Sequence, residues 1–220
     1  MDETDRYSRD NEMPIRQLRI AEQFYSLQGE GDLSGVPMYF VRLSGCSVAD
    51  CPLHPVTGGA CDTDWSHRES MATAEVAELA FASKAHWVCI TGGEPTDQMG
   101  AITDLAAKIH QNGQRTMIQT SGVRLLPDCW DWIVVSPKSH FLKVPQMSGH
   151  EMKLVWNGED FGYLRALATQ SHFLRYYLQP LCGLDGTTNI KAVAEAVKTC
   201  GTNGLPWRLG VQQHKLWGGE

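Results

Sequence analysis

The sequence predicts an α/β fold built around a parallel sheet, and three observations support this prediction. Short runs rich in β-branched and aromatic residues alternate with segments of helical period, as in successive βα units. A chain of 220 residues, 42% of them hydrophobic, is long enough to bury one sizeable core. Because a complete eight-stranded (β/α) barrel typically takes about 250 residues, we expect a partial, modified barrel with a loop and a cap at the carboxyl ends of its strands.

Seven runs in the sequence are predicted strands of this sheet. They span residues 38–43, 87–91, 115–120, 132–136, 151–155, 173–179 and 208–212. Apolar residues at the i, i+3, i+4, i+7 spacing predict an amphipathic helix over residues 101–111, with its buried face formed by Ile102, Leu105, Ala106 and Ile109.

Two further helices are predicted between these strands. One precedes the strand at residue 87 and turns Val76, Leu79 and Ala80 inward. The other is capped by Asn189, ends near Gly201, and faces the core with Ile190, Val193 and Val197. We therefore expect helices to cover the sheet.

The amino-terminal segment and the overall charge limit what the chain can be. Residues 1–15 are polar and aperiodic, so we expect a disordered tail before a single domain over residues 16–220. Lys and Arg number 19 against 25 Asp and Glu, and the net charge of −6 argues against direct nucleic-acid binding. No run approaches the ~18 apolar residues of a membrane span, and the opening residues lack a signal-peptide core. We expect a cytoplasmic protein.

The seven cysteines indicate reduced thiols or metal ligation, because the count is odd and no export signal is seen. Cys46, Cys51 and Cys61 lie in one Pro/Gly-rich loop, which is a poor place to bury three unpaired core thiols. Thiolates bind both zinc and iron. A closed zinc site needs a fourth ligand, which His54 or His67 can supply, whereas three thiolates on a four-iron cluster leave one iron open. The remaining cysteines are predicted packing residues: Cys89, Cys129, Cys182 and Cys200.

Polar residues follow most of the predicted strands. In α/β folds the loops at the carboxyl ends of the strands meet on one face, so we expect these residues to form the functional site. They are Arg42, Ser44, residues 91–94, residues 119–121, Ser136, Lys138, Lys153, Gln179 and residues 212–215.

Two motifs together resemble the radical S-adenosylmethionine superfamily: a cysteine triad after one strand, and Thr91-Gly92-Gly93-Glu94-Pro95 after the next. Further strings make the chain similar to the 7-carboxy-7-deazaguanine synthase family, over about residues 18–220. They are Phe24-Tyr25-Ser26-Leu27-Gln28-Gly29-Glu30-Gly31, Phe40-Val41-Arg42-Leu43, Cys61-Asp62-Thr63, Ser136-Pro137-Lys138, Gln179-Pro180 and Gln212-Gln213-His214-Lys215.

The resemblance implies a radical enzyme of deazapurine (queuosine-type) biosynthesis. In that family a 4Fe-4S cluster passes an electron to S-adenosylmethionine, and the resulting 5'-deoxyadenosyl radical abstracts hydrogen from 6-carboxy-5,6,7,8-tetrahydropterin. The ring then contracts with loss of ammonia to give 7-carboxy-7-deazaguanine. The cofactor carries the hard chemistry, and the protein supplies binding, orientation and charge.

By this resemblance Cys46 and Cys61 are the first and last cluster ligands. The family leaves three residues between the first two cysteines and two between the second and third. Here the intervals are four and nine residues, and Gly58 stands where the usual spacing would put the middle cysteine. A longer loop can still close, since each doubling of loop length costs only about 0.6 kcal/mol. Cys51 is the expected second ligand, with His54 as the alternative.

The resemblance also assigns binding residues. It implies that S-adenosylmethionine contacts Ala60, Asp62, Gly92, Gly93, Glu94, Ser136, Pro137, Lys138, Gln179 and Pro180, with Glu94 accepting protons of the cofactor's ammonium group. It implies that the substrate contacts Leu27, Gln28, Gly29, Arg42, Thr91, His214 and the terminal carboxylate of Glu220.

Specific chemistry is implied for four of the matched positions. Thr63 matches the family's Mg²⁺ ligand, a hard oxygen donor. Arg42 can hold the substrate carboxylate through a bidentate fork. Glu30 can accept hydrogen bonds from ring N–H groups, and His214 suits proton transfer during ammonia loss.

Partners and alternatives complete the expectation. The family implies a small pterin substrate, an electron donor such as flavodoxin or ferredoxin, and a homodimer. One alternative is a radical S-adenosylmethionine activase that installs a glycyl radical in a partner protein, which gives no reason for Gln28, Arg42, Thr63 and His214 together. The other is a zinc-stabilised binding module without catalysis.

Overall fold

In a computed structural model, the chain is described over residues 16–48, 51, 61, 67–138, 144–181 and 187–217. The predicted tail over residues 1–15 lies outside this part of the chain. No helix of the described residues is long and apolar enough to cross a membrane.

One nine-stranded sheet organises the described residues, in the order β3-β1-β2-β4-β5-β6-β7-β8-β9. Every pairing from β2 to β9 is parallel, whereas β1 is antiparallel to both β2 and β3. The strands are β1 (Gln17–Leu27), β2 (Pro37–Leu43), β3 (Glu69–Ala72), β4 (Trp87–Gly92), β5 (Arg115–Thr120), β6 (Trp132–Val135), β7 (Ser148–Trp156), β8 (His172–Pro180) and β9 (Trp207–Leu209). The sheet is open between its edge strands, β3 and β9, so the predicted partial barrel is confirmed.

The helices follow the strands in βα order. They are α1 (Thr73–Ala82), α2 (Met99–Gln111), α3 (Phe161–Gln170), α4 (Ile190–Thr202) and the short α5 (His214–Trp217), with a 3₁₀ turn over Pro95–Gln98 before α2. Two apolar cores lie between helices and sheet, one under α1 and α2 and one under α3 and α4. A third core fills the concave side of the sheet with Met38, Phe40, Trp87, Cys89, Met117 and Val134. The concave side is therefore closed by apolar side chains at the level where its strands begin.

The predicted parallel strands and helices are confirmed, with shifted ends. The strand predicted over 208–212 is the shorter β9, and that predicted over 151–155 is the longer β7. Helix α2 buries the four predicted side chains: Ile102, Leu105, Ala106 and Ile109. In α4, Val193 is buried as predicted, but Ala196 and Cys200 fill the other core positions, while Ile190 and Val197 are only partly buried.

The sequence analysis missed β1, β3, α3, the short α5 and the 3₁₀ turn. Strand β1 is absent from the predicted strands because the pairing register shifts between Ile20 and Glu22, so its apolar residues do not alternate regularly along the chain. Strand β3 and helix α3 were also missed; Asp160 begins α3 by accepting a hydrogen bond from the Tyr163 amide at 2.9 Å.

Two residues predicted from local pattern have different environments in the structure. Leu79 was predicted to face the core, but 42% of it is exposed, because the core side of α1 is taken by Val76, Ala77 and Ala80. Asn189 stands at the start of α4 without capping it through its side chain. Its amide instead accepts from Leu181 N and donates to Trp156 O, each at 2.9 Å, which ties the end of β7 to the end of β8.

The difference between a packed and an exposed leucine gives a direct test of the core under α1 and α2. Leu105→Ala removes a fully buried side chain and should lower the free energy of unfolding by about 2–5 kcal/mol. The same substitution at Leu79 removes an exposed side chain and should change it by less than about 1 kcal/mol. Denaturant unfolding of both variants measures the two values; equal losses would contradict this description of the core.

Candidate active site

A cavity of about 560 Å³ opens at the carboxyl ends of the parallel strands. Successive side chains of a strand point to opposite faces, so one polar residue near the end of each central strand faces the concave side. The residues that line the cavity in this way are Arg42 on β2, Thr91 on β4, Gln119 on β5, Ser136 after β6, Lys153 on β7 and Gln179 on β8. Above the apolar core of the concave side, the sheet therefore presents a polar floor.

Most of the site residues expected from the sequence line this one cavity. They are Leu27, Gln28, Gly29, Glu30, Arg42, Cys46, Cys51, Cys61, Thr91, Gly92, Gly93, Glu94, Ser136, Lys138, Gln179 and His214. Pro137 and Pro180 are described but do not form part of the lining. Ala60, Asp62, Thr63 and Glu220 lie outside the described residues, as do His54 and Gly58. The individual roles of all these residues stay predictions.

The three clustered cysteines line the wall of the cavity, and none of them is in a disulfide. No three Cys, His, Asp or Glu side chains in the described part of the chain are gathered into a ready metal-binding set. Burial raises the pKa of the Cys46 thiol, and the nearby Glu94 and Asp97 raise it further. A metal that binds Cys46 therefore has to displace its proton. His67, one of the two alternative zinc ligands, is exposed and does not line the cavity.

Cys46 is held in place by the loop that follows β4. The Glu94 amide donates to the Gly45 carbonyl at 3.1 Å. Asp97 accepts from the amide of Ser47 at 2.8 Å and from its hydroxyl at 2.6 Å, and it pairs with Arg124 at 2.5 Å. The backbone on both sides of the thiol is thus bonded to residues 94–97, which follow β4.

Gly92 and Gly93 allow two loops to come into contact. Gly92 has a φ of +110°, and a Cβ there would lie 2.2 Å from the Leu43 amide nitrogen. A Cβ on Gly93 would lie 1.8 Å from the Gly45 carbonyl oxygen. Only glycine fits at both positions. Neither position leaves room for a side chain, and Gly92 also has a positive φ that other residues rarely adopt. Backbone without a side chain on the wall of the cavity lets a ligand approach closely.

Glu94 is 1% exposed and its carboxylate accepts five hydrogen bonds from the protein. One oxygen accepts from the Thr96 amide and hydroxyl and from the Thr120 hydroxyl, and the other accepts from the Ser121 amide and hydroxyl. These bonds fasten the loop after β4 to the end of β5. The predicted contact between Glu94 and the ammonium group of a cofactor stays a prediction, and in this structure the carboxylate organises the loop.

The cavity floor contains a buried ion pair between Glu30 and Lys153. The Lys153 Nζ lies 2.6 Å from Glu30 Oε2, and the side chains of Lys153 and Glu30 are 5% and 15% exposed, respectively. Gln179 and Gln212 donate to Glu30 Oε1 at 2.9 and 2.8 Å, and Lys153 also donates to Gln119 Oε1 at 3.2 Å. Residues from β7, β8 and the segment after β9 therefore meet at the Glu30 carboxylate, and β5 contributes Gln119 to the ammonium of Lys153.

Both members of this pair are charged at neutral pH. Burial raises the pKa of Glu30, but the attraction of Lys153 and hydrogen bonds from Lys153, Gln212 and Gln179 outweigh it and lower that pKa to about 2. Burial lowers the pKa of Lys153, but the carboxylates of Glu30 and Glu151 outweigh this effect and the net pKa is raised. Cys89 lies beneath the pair, and its burial raises the pKa of the thiol to about 12, so it is a neutral packing residue.

The sequence analysis expected Lys153, Gln119 and Gln212 at the site only as polar residues at strand ends and gave none of them a role. Period-2 alternation along β7 is the signal that would have selected Lys153, because Lys153 and Val155 share the face that lines the cavity. The pairing with Glu30 joins residues 123 positions apart, which no local pattern shows.

Arg42 lines the cavity, but its guanidinium already has two neighbours. One terminal nitrogen bonds the Glu22 carboxylate on β1, and the group lies 4.9 Å from the centre of the Phe24 ring. Arg42 thus already forms an ion pair with Glu22 in this structure. Binding of a substrate carboxylate by Arg42 stays a prediction.

The segment after β9 covers one end of the cavity. Gln213 N donates to Gly29 O at 2.8 Å, and a Cβ on Gly29 would lie 2.3 Å from His214 Nδ1. Gln28 is 3% exposed; its amide accepts from Glu30 N at 3.2 Å and contacts Met117 Sδ at 3.4 Å. The string Gln28-Gly29-Glu30 and His214 therefore contact each other directly.

Comparison of the chain with solved structures supports the fold. The crystal structure of QueE from Escherichia coli matches with a TM-score of 0.66 and 24% identity, over 90% of this chain and 95% of that one. This likeness shows the shared partial-barrel fold. A scan against protein-family models found no match.

Comparison with curated sequences shows the family. The 7-carboxy-7-deazaguanine synthase of Bacteroides thetaiotaomicron is 34% identical over 199 residues, which cover 90% of this chain and 96% of that protein. The synthase of Caulobacter vibrioides is 37% identical over 216 residues, covering 90% of this chain and 97% of its own. Because these relatives match over nearly their whole length, the chain belongs to the 7-carboxy-7-deazaguanine synthase family.

Proposed function

We propose that this chain is a carbon–nitrogen lyase that converts 6-carboxy-5,6,7,8-tetrahydropterin to 7-carboxy-7-deazaguanine with loss of ammonia, a step of queuosine-type biosynthesis. The observation that carries the proposal is that three thiols, the Gly92-Gly93 backbone and the Glu30–Lys153 pair all line one cavity. Family membership at 34% and 37% identity supports it. No observation favours the activase or the zinc module.

The donor set fits an iron–sulfur cluster with S-adenosylmethionine. Thiolates are the ligands of such clusters, and Cys46, Cys51 and Cys61 lie on one wall without being in disulfides. We expect them to close around a 4Fe-4S cluster as it assembles. When bound, the cluster and S-adenosylmethionine supply the one-electron chemistry that removes a hydrogen atom from the substrate. Beside Cys46, Gly92 and Gly93 leave backbone exposed for the methionine end of that cofactor.

The polar floor of the cavity binds and orients the substrate. Glu30 is anionic and Lys153 cationic, so the floor offers both an acceptor and a donor to the edge of a heterocycle. His214 lies against Gly29 at the rim, where an imidazole can carry a proton to or from the leaving nitrogen. The largely buried side chains of the floor exclude water, which strengthens their electrostatic contacts with the substrate.

Several finer assignments belong to the proposal. Thr63 is the proposed Mg²⁺ ligand, and the terminal carboxylate of Glu220 is proposed to reach the substrate. An electron donor such as flavodoxin or ferredoxin is proposed to reduce the cluster. The enzyme is proposed to act as a homodimer in the cytoplasm.

The reaction is tested by anaerobic incubation of reconstituted protein with S-adenosylmethionine, a reductant, Mg²⁺ and 6-carboxytetrahydropterin, with mass detection of the products. We expect carboxydeazaguanine and ammonia to form together. Formation of 5'-deoxyadenosine without carboxydeazaguanine would keep the radical chemistry and reject this substrate. A colourless preparation that contains zinc would reject both.

Replacement of cluster ligands should remove iron. Cys46→Ala and Cys61→Ala are expected to abolish iron binding above background and all turnover, and Cys51→Ala tests the second ligand in the same way. Cys129→Ala is the matched control, because this thiol lies outside the cavity. Iron analysis and the brown absorbance of reconstituted protein provide the measurement. Full iron content in the Cys46 or Cys61 variant would reject the assignment of that residue.

Substitutions in the buried ion pair should affect the unfolding free energy and the turnover differently. Lys153→Met leaves the Glu30 carboxylate buried without its cation and should cost about 3–5 kcal/mol of unfolding free energy. Combining it with Glu30→Gln removes the unpaired charge and should recover most of that loss, because a buried pair is often worth little more than neutral replacements. Turnover should be abolished in Lys153→Met and should not return in the double variant. Denaturant unfolding and product formation measure the two effects; recovery of turnover would show that the charges are not needed for catalysis.

A further inference from the structure

The segment between β1 and β2, residues 28–36, spans the open side of the barrel. Strands β1 and β2 lie near one end of the strand order, and β7, β8 and β9 lie at the other. The segment closes on itself through hydrogen bonds from Gln28 N to Val36 O at 2.9 Å and from Gly35 N to Gln28 O at 2.7 Å. Its acidic side chains then contact β7, β8 and β9, so it connects strands that the sheet itself leaves unpaired.

The contacts lie at two levels along β7 and β8. At the upper level, which is the cavity floor, Glu30 contacts Lys153 and Gln179. At the lower level Asp32 accepts a short hydrogen bond from the Tyr177 hydroxyl, and Arg175 Nε lies 2.9 Å from Asp32 Oδ2 as an ion pair without hydrogen-bond alignment. Arg175, Tyr177 and Gln179 alternate along β8 and therefore share its concave face.

Asp32 also pairs with a second arginine, and it does not line the cavity. Arg208 on β9 lies 3.8 Å from Asp32 Oδ1. The lining of the cavity includes Glu30 but not Asp32, which lies two residues further along the chain. Asp32 thus contacts β8 and the edge strand β9 without touching the space that a substrate can occupy.

The path of the segment between the two levels is fixed by Glu151. Asp32 N donates to Glu151 Oε1 at 3.3 Å, and Trp132 Nε1 donates to the same oxygen at 2.6 Å. Gly31 has a φ of +72°, and a Cβ there would lie 1.9 Å from Glu151 Oε2. The backbone therefore lies directly against a buried carboxylate and has no room to shift inward, while the contacts of Glu30 and Asp32 on either side oppose outward movement.

We propose that Asp32 is a positioning residue that closes the open barrel and holds Glu30 at the cavity floor. This inference rests on the proposed function of the cavity as the pterin site. The physical reason is that Glu30 stands at the upper end of a short segment whose lower end is tied down by Asp32. Small displacements of a group that orients a substrate cost large factors in rate.

The test uses Asp32→Asn, which keeps the shape of the side chain and removes its charge, in the reconstituted holoenzyme. Loss of the anchor should lower kcat/KM on the order of 10- to 100-fold. Tyr177→Phe removes one partner of Asp32 and should act in the same direction to a smaller extent. If the Asp32 variant does not fold, the Tyr177 variant decides, and wild-type kcat/KM in it overturns the proposal.

A matched control separates positioning from general stability. Asp131 resembles Asp32 in its contacts, because it accepts from the Thr116 amide at 2.7 Å and from His110 at 2.8 Å, and pairs with Arg115 at 3.7 Å. It lies where β5 and β6 begin, at the opposite end from the cavity. Asp131→Asn should lower the melting temperature while leaving kcat/KM unchanged. An equal loss of kcat/KM in both variants would overturn the proposal.

Coupling to Glu30 is the sharpest discriminator. If Asp32 acts through Glu30, the double variant Asp32→Asn/Glu30→Gln should have the same kcat/KM as Glu30→Gln alone. Effects that multiply would show that Asp32 acts on another part of the enzyme and would overturn the proposal.

Hydrogen exchange tests the anchor without any turnover. Amides of residues 28–36 and 207–216 should exchange faster in Asp32→Asn, while residues 115–120 stay protected; Asp131→Asn should show the reverse. If wild-type protein forms no carboxydeazaguanine, the proposed function fails and this measurement still decides on the anchor. Unchanged protection of residues 28–36 in Asp32→Asn would overturn it.

Discussion

The ion pair between Glu30 and Lys153 is the interaction on which the candidate site depends. Removing two charges from water costs several kcal/mol for each ion, and only close geometry with further hydrogen bonds offsets that cost. Here Gln179 and Gln212 donate further hydrogen bonds to the Glu30 carboxylate, and Gln119 accepts one from the Lys153 ammonium. Because Glu30 follows β1 and Lys153 lies on β7, the pair also holds the segment after β1 against a strand that is distant in the sheet order. An apolar pair would fill the same space but would offer a heterocycle neither donor nor acceptor.

The surroundings of the pair follow from the alternation of side chains in parallel strands. Strands β2 to β8 run in the same direction, so their inward side chains form layers. The lower layer is apolar, with Met38, Trp87 and Met117, and the upper layer is polar. The loops at the upper end add the thiols on one side and the segment after β9 on the other. The apolar layer that stabilises the barrel thus lies where the strands begin, and the polar layer that lines the cavity lies where they end.

Much of the fold could be predicted from local patterns. The face of α2 and the parallel strands follow from periodicity, because one side of each is buried against a uniform apolar surface. Strand β1 could not be predicted, since a shift of register interrupts its alternation. Leu79 has the helical spacing of a core residue, yet its exposure is decided by how α1 lies on the sheet and by the smaller Val76, Ala77 and Ala80 that take the core positions.

The sequence by itself determined the chemistry that the chain can support: a set of three clustered thiols, a Gly-Gly-Glu-Pro loop, and polar residues at strand ends. These are local properties, and each can be recognised in a short stretch of sequence. Only the tertiary structure decided that Glu30 pairs with Lys153, that the Glu94 carboxylate accepts hydrogen bonds from its own loop and from the end of β5, and that Asp32 ties β1 and β2 to β8 and β9. The physical reason is that these contacts join residues far apart in the chain, and the curvature of the sheet, which no short string encodes, sets which of them meet.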